Sequence, residues 1–230
     1  MTMNNLNDLQ KNLLALREDS YRNFSAQLLP TVDETLIIGV TIPQLRKFAK
    51  KYFADKDISQ FLNNLPHKFH EENLLQAILI SNMQDYAECL AAVKKFLPYV
   101  NDWGVCDTFS PQIFKQHLTE LEPEIFNWLN CDGEYFNRFG LSMLMKFYLD
   151  ENFDVKYLKW AAEIRSDKYY AQMMAAWYFA TALAKHYDET VIYLEERRLP
   201  KFIHRKTIRK AQDSYRISDE QKKYLRGLKF

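Results

Sequence analysis

Trp103, Asp107, Arg138 and Trp177 are of the types needed to act on a charged, ring-bearing, phosphate-linked molecule. An indole face holds an electron-poor ring and attracts a cation. A carboxylate stabilises positive charge that develops nearby, and a guanidinium grips a phosphate through paired N–H donors. Trp103 and Asp107 are four apart in NDWGVCDTF, which places both on one face of a helix. Arg138 lies in GEYFNRFGLSMLMKF and Trp177 in YYAQMMAAWYFATALAKHY. Each is near the start of its own helical segment. If those segments stack in register, one surface collects two indoles, a carboxylate and a guanidinium.

The elements that must position these residues are helical. Only five glycines and seven prolines interrupt 230 residues, which favours long helices over many short strands. Leu6, Leu9, Leu13, Leu14 and Leu16 give residues 3–17 an amphipathic face. Ser20 is a candidate cap for a second helix running to Leu29. Gly39 sits in the connector TVDETLIIGV, where it permits unusual backbone angles. Pro43 suits a first helical turn, and Thr41 is its candidate cap.

From there the pattern repeats. Polar starts at His70–Asn73, Asn101–Asp102, Cys131–Asp132 and Ser166–Asp167 each precede an apolar, aromatic-rich segment and then a second amphipathic helix. The last three anchor at Asp102, Asp132 and Asp167, at intervals of 30 and 35 residues. The expected fold is all-α, an α-solenoid or superhelix of HEAT-like helical pairs in a single domain over residues 1–230. SPQIFKQHLTELEPEIFNWL reads as one such second helix, and SDEQKKYLRGLKF as a capped terminal helix. Phe126, Trp128, Phe147, Tyr148, Trp160 and Tyr193 lie on amphipathic faces and are expected in the core.

Other function classes find little support. The N-terminus, MTMNNLNDLQ, lacks the apolar core of a secretion signal, and no apolar run is long enough to span a bilayer, so a cytoplasmic protein is expected. Cys89, Cys106 and Cys131 are odd in number and lack CxxC spacing, and the five histidines are scattered. Neither a metal site nor a cofactor is expected. Cys106 reads as a small packed residue, and Asp102 as a helix cap. The net charge of +1 is uninformative, but its distribution is not. Arg197, Arg198, Lys201, Arg205, Lys206, Arg209, Lys210 and Arg216 are opposed by Asp213 alone, and Arg46, Lys47, Lys50, Lys51 and Lys56 follow Pro43. Two basic clusters flanking the tetrad point to a polyanion.

IIGVTIPQLRKFAK, NDWGVCDTF, the arginine in DGEYFNRFG, and YYAQMMAAWYFATALAKHY with the later FIHRKTIRKAQDSYRISDEQKKYLR resemble, in order and separation, the DNA alkylation repair enzymes of the HEAT-like repeat glycosylase type. The resemblance implies a C-shaped array of helical pairs with a basic concave face that holds duplex DNA. It implies hydrolysis of the N-glycosidic bond of cationic N3- or N7-alkylated purines, without flipping the damaged base. On that resemblance Asp107 is the catalytic aspartate, Trp103 and Trp177 are the two groove tryptophans, and Arg138 grips the backbone. Arg46, Lys47, Arg205, Lys206, Arg209 and Lys210 are expected to add DNA contacts. Thr41 departs from the pattern, since relatives often carry Arg or Gln there. The expected partner is duplex DNA, and a monomer is the simplest state. Two rival readings stay open: a non-catalytic solenoid that binds DNA or a protein, and a plain scaffold in which Trp103 and Trp177 are both buried.

Overall fold

A computed structural model describes residues 6–54, 57–164 and 166–229. Lys56 of the first basic cluster and residues 3–5 of the first expected helix lie outside them. Among the described residues the chain forms fourteen α-helices and no strand. It divides into two compact units, Met1–Phe114 and Lys115–Phe230.

In the first unit the central helices are α3 (Ile42–Tyr52), α5 (His70–Ser81) and α7 (Trp103–Thr108). α5 packs between the other two. Around them lie α1 (Asp8–Leu14), α2 (Asp19–Leu28), α4 (Ser59–Asn63) and α6 (Tyr86–Phe96). α5 is apolar nearly all round, as its place in the middle requires: Leu74, Leu75, Ala77, Ile78 and Ile80 are all buried. Its first turn nevertheless contains three buried ionisable residues, His70, Glu71 and Glu72. Buried charge persists only where it is partnered. Glu71, 1 % exposed, accepts the backbone N–H groups of Ile38, Gly39 and Val40 at 2.8, 2.6 and 3.3 Å. Glu72 accepts the Phe69 N–H at 2.9 Å and the Gln10 side-chain amide. Glu71 thus ties the connector before α3 to the central helix.

That connector needs its glycine. Gly39 has φ +98°, and a Cβ there would stand 2.7 Å from the Glu18 carbonyl oxygen. Gly39→Ala is therefore expected to destabilise the chain by about 1–3 kcal/mol, measured by urea unfolding. An unchanged midpoint would show that the connector relaxes without penalty.

In the second unit α9 (Glu134–Phe147), α11 (Tyr169–Lys185) and α13 (Lys201–Asp213) pack side by side, with α11 in the middle. α8 (Leu118–Leu129), α10 (Val155–Ala162), α12 (Tyr187–Glu195) and α14 (Asp219–Gly227) flank them. α11 is almost entirely buried and rich in alanine, which permits close approach to both neighbours. The first turns of α9 hold this unit much as α5 holds the other. The Asn137 amide donates to the Trp128 and Cys131 carbonyls, both at 2.9 Å, and its oxygen accepts the Ser166 N–H at 3.2 Å. Glu134 accepts the Tyr170 N–H at 2.7 Å.

The all-α repeat expected from the sequence is the architecture present. Thr41 caps α3 in a reciprocal box with Gln44, Ser218 caps α14 in the same way with Gln221, and Asp102 caps α7. Several expectations need correction. α2 begins at Asp19 after Glu18, whose N–H is held by the Gly39 carbonyl, so Ser20 is inside the helix and not its cap. The polar starts at Cys131–Asp132 and Ser166–Asp167 fall just ahead of their helices, with Ser166 Oγ accepting the Lys168 N–H at 3.3 Å. α9 starts after Gly133 and α11 after Lys168, where Glu134 of the neighbouring helix satisfies the first turn of α11. The segment expected as one helix over 110–129 is a 3-10 turn, Gln112–Gln116, followed by α8. Phe126 is 43 % exposed and not core; it pairs with Trp160 across the outer faces of α8 and α10 at 4.9 Å. Trp160 and Tyr193 are half-buried, whereas Trp128, Phe147 and Tyr148 are core.

Candidate functional site

Trp103 and Asp107 open and nearly close the six-residue helix α7, and both line one cleft of about 470 Å³. Arg46 of α3 and His70 of α5 share it, and Phe24 and Leu28 of α2 form its apolar rim. Trp103 is half-buried, and its indole N–H donates to the Leu28 carbonyl at 3.0 Å. With that donor engaged, the indole offers a ligand its ring face. Asp107 is half-exposed one turn further along. Cys106 between them is fully buried, as expected of a packed thiol.

α7 is too short to hold itself, because helices of one or two turns are marginal without outside support. The support is Asp102, which is 0 % exposed. Its Oδ1 accepts the Val105 N–H at 2.9 Å, and its Oδ2 lies 3.1 Å from Nδ1 of His70. His70 is itself buried, at the first position of α5. Burial disfavours the imidazolium, but the hydrogen bond and charge of Asp102, with the charge of Glu71, favour it more. The ring therefore keeps its proton above its ordinary value of 6.5. A histidine raised in this way stabilises the fold fully below that ordinary value. The contribution is lost as pH climbs through the raised one.

Two further groups of the sequence tetrad meet in the second unit. Trp177 on α11 is 42 % exposed, an unusual position for an indole on so buried a helix. Lys210 of α13 lies over its ring, with Nζ 5.6 Å from the centroid. The two line a shallow pocket of about 300 Å³ with Thr181, Asp213, Ser214 and Arg216. Lys210 is held below the ordinary lysine range by burial, then by the charge of Arg138, with Lys206 adding to the effect against Asp213. Cations close enough to depress one another are relieved by an anion. Arg138 is only 6 % exposed, and its Nη1 donates to the Tyr170 carbonyl at 2.9 Å. It orders the start of α11 and contributes positive charge beside Trp177 and Lys210.

The basic residues separate by face. Arg46 opens onto the Asp107 cleft, whereas Lys47 lines another groove with Gln44, Phe48 and Lys51. Arg205 and Arg209 are exposed one turn apart on α13. Lys206 is half-buried, with its Nζ 5.4 Å from the centroid of the Phe202 ring. The Thr41 hydroxyl is engaged with Gln44 at the N-terminus of α3. The plain scaffold with both indoles buried does not hold, since Trp177 is exposed and Trp103 is half-buried against an open cleft. Sequence reasoning missed His70 and Glu71. The only local sign was three ionisable residues opening the most apolar helix of the first unit.

An all-helical repeat protein with a cleft that brings a carboxylate beside an indole in one unit and a cationic, indole-bearing surface in the other has groups suited to a polyanion. The family model for the DNA alkylation repair enzyme matches residues 9–211, and the chain belongs to that family, whose substrate is DNA. Comparison with curated proteins finds no match. Among the described residues no helix is long and apolar enough to cross a membrane.

Proposed function

We propose that the protein is a monofunctional DNA glycosylase that hydrolyses the N-glycosidic bond of cationic N3- and N7-alkylated purines in duplex DNA. The observation that carries this reading is the joint lining of one cleft by Asp107 and a Trp103 whose ring face is its available surface. Alkylation at N3 or N7 gives the purine a positive charge and weakens its bond to C1′. As that bond breaks, its electron pair goes to the purine, which leaves neutral and needs no acid. Positive charge passes to the sugar, and a carboxylate aimed there stabilises the transition state more than the ground state. Water, oriented by Asp107, adds to C1′ and its proton passes to solvent. The chemistry asks for one carboxylate because the lesion supplies the activation that glycosidases obtain from a second.

A cation within about 6 Å of an indole face gains roughly 0.5–2 kcal/mol, so Trp103, whose ring lines the cleft with Asp107, favours charged lesions over normal nucleotides. Arg46 and the cations of α13 supply affinity through phosphates, and the enclosed Arg138 adds positive charge behind Lys210. No base flipping is required, so a 2-aminopurine beside the lesion should stay quenched on binding. A strong rise in its fluorescence would show that the base is extruded.

Phosphate contacts make binding salt-dependent, with a log–log slope of about −0.9 per contact. Arg205→Ala with Arg209→Ala should weaken binding to any duplex and flatten that slope by about 1–2. An unchanged slope would remove α13 from the interface. The enzymatic reading is tested by release of 7-methylguanine from methylated duplex. The second reading, a non-catalytic protein that binds DNA or a protein partner, draws on Thr41: its hydroxyl is occupied in capping where relatives carry a long donor. It predicts binding without base release.

A further inference from the structure

We propose that His70 is a positioning residue for Asp107: through Asp102 it fixes where α7 holds the carboxylate and the Trp103 indole. The activity arm of its test rests on the glycosylase reading; the spectroscopic arm does not.

The path is short and continuous. α5, twelve residues long, is anchored by Glu71 to the connector at 38–40. His70 is the first residue of that helix, and its Nδ1 meets Asp102 Oδ2 at 3.1 Å. The other oxygen of the same carboxylate caps α7 through the Val105 N–H at 2.9 Å. The two contacts share one planar group, so a rotation that breaks the first misaligns the second. Gly104 makes room for this arrangement, since a Cβ there would stand 3.1 Å from Asp102 Oδ1 and 3.8 Å from His70 Cε1. Trp103 is the first residue of α7, and Asp107 follows one turn later. A change in the tilt of six residues is therefore felt at both.

The pair is also electrostatically committed. Asp102 is wholly enclosed, where a carboxylate without a counter-charge is costly. The charged groups around His70 are Asp102 in the loop before α7, Glu71 on its own helix, and Asp107 of α7 and Arg46 of α3 across the shared cleft. Glu71 already serves three backbone N–H groups. The imidazolium is thus the partner that Asp102 has for Oδ2. When the ring loses its proton the ion pair falls back to a hydrogen bond between a neutral imidazole and the carboxylate, and α7 loses its tether of opposite charges.

The experiment uses the Trp103 indole N–H as a reporter, observed by 1H–15N NMR without DNA and assigned by its loss in Trp103→Phe. In the wild type its resonance should move along the same titration curve as the His70 ring. In His70→Asn, whose amide nitrogen reaches the position of Nδ1 and cannot titrate, it should not move over that range. On methylated duplex, wild-type kcat should fall as that histidine deprotonates. His70→Asn, neutral at every pH, should hold a pH-independent kcat at the lower level that the wild type reaches once its ring is neutral, and His70→Leu, which cannot hydrogen-bond to Asp102, should lose about 10–100-fold in kcat at unchanged KM, as expected for a reacting group displaced by about 1 Å. An indole resonance indifferent to the His70 titration would overturn the proposal. So would full kcat in His70→Leu. If the wild type releases no base, the glycosylase reading fails by itself, and the indole titration alone decides the role of His70.

Discussion

Asp107→Asn is expected to release 7-methylguanine from methylated duplex about 10²–10³ times more slowly than the wild type in single turnover, while binding the duplex as tightly or more tightly. Asparagine keeps the shape of the side chain and removes its charge. Asp107 is half-exposed at the end of a short helix whose fold depends on Asp102, so the exchange should leave α7 in place. The binding energy of the ground state has little need of a negative group among phosphates, and its loss removes repulsion. The transition state does need it, because positive charge develops on the deoxyribose where the proposed chemistry places the Asp107 carboxylate. An effect confined to the chemical step is the signature of a group that acts only there. Undiminished release would take Asp107 out of its assigned role, and a parallel loss of binding would point to a folding defect.

Glu71→Ala should produce the largest loss of stability of any single side chain discussed, about 3–5 kcal/mol by urea unfolding. Its carboxylate, 1 % exposed, is the acceptor for three consecutive backbone N–H groups at 38–40. Removal leaves those donors buried without an acceptor, and alanine adds a cavity. The damage should reach the cleft. The same connector holds Glu18 at the start of α2 through the Gly39 carbonyl, and the other end of α2 supplies the Leu28 carbonyl to the Trp103 indole. Glu71→Gln should recover part of the loss, since one amide oxygen still accepts. A loss below about 1 kcal/mol in Glu71→Ala would mean that water or a shifted connector replaces the carboxylate.

The features legible in the sequence were those written in short-range chemistry. Thr41, Pro43 and Asp102 are local helix-start signals, and each lies where its type requires. The four-residue spacing of Trp103 and Asp107 placed both on one face, and both line one cleft. What escaped depends on partners distant in the chain. His70 and Asp102 are 32 residues apart, and no spacing rule links them. Asp132 and Asp167 look like the same start signal as Asp102, yet α9 begins after Gly133, and α11 begins after Lys168, where Glu134 from another helix accepts a first-turn N–H. Arg138 reads as a surface cation, but packing encloses it against the start of α11, leaving Lys210 as the cation over Trp177. Phe126 shows why an aromatic on an amphipathic helix is not thereby core: it stays 43 % exposed and packs against the ring of Trp160 on α10.

The most direct measurement is the appearance of unbound methylpurine when purified protein is incubated with alkylated duplex at low salt, with the DNA strand then cleaved by alkali at the new abasic position. If Asp107 and Trp103 work as proposed, N3- and N7-methylpurines are released and undamaged guanine and adenine are not. A protein that binds the same duplex tightly yet liberates no base over hours would contradict the claim and leave a DNA-binding protein without glycosylase chemistry.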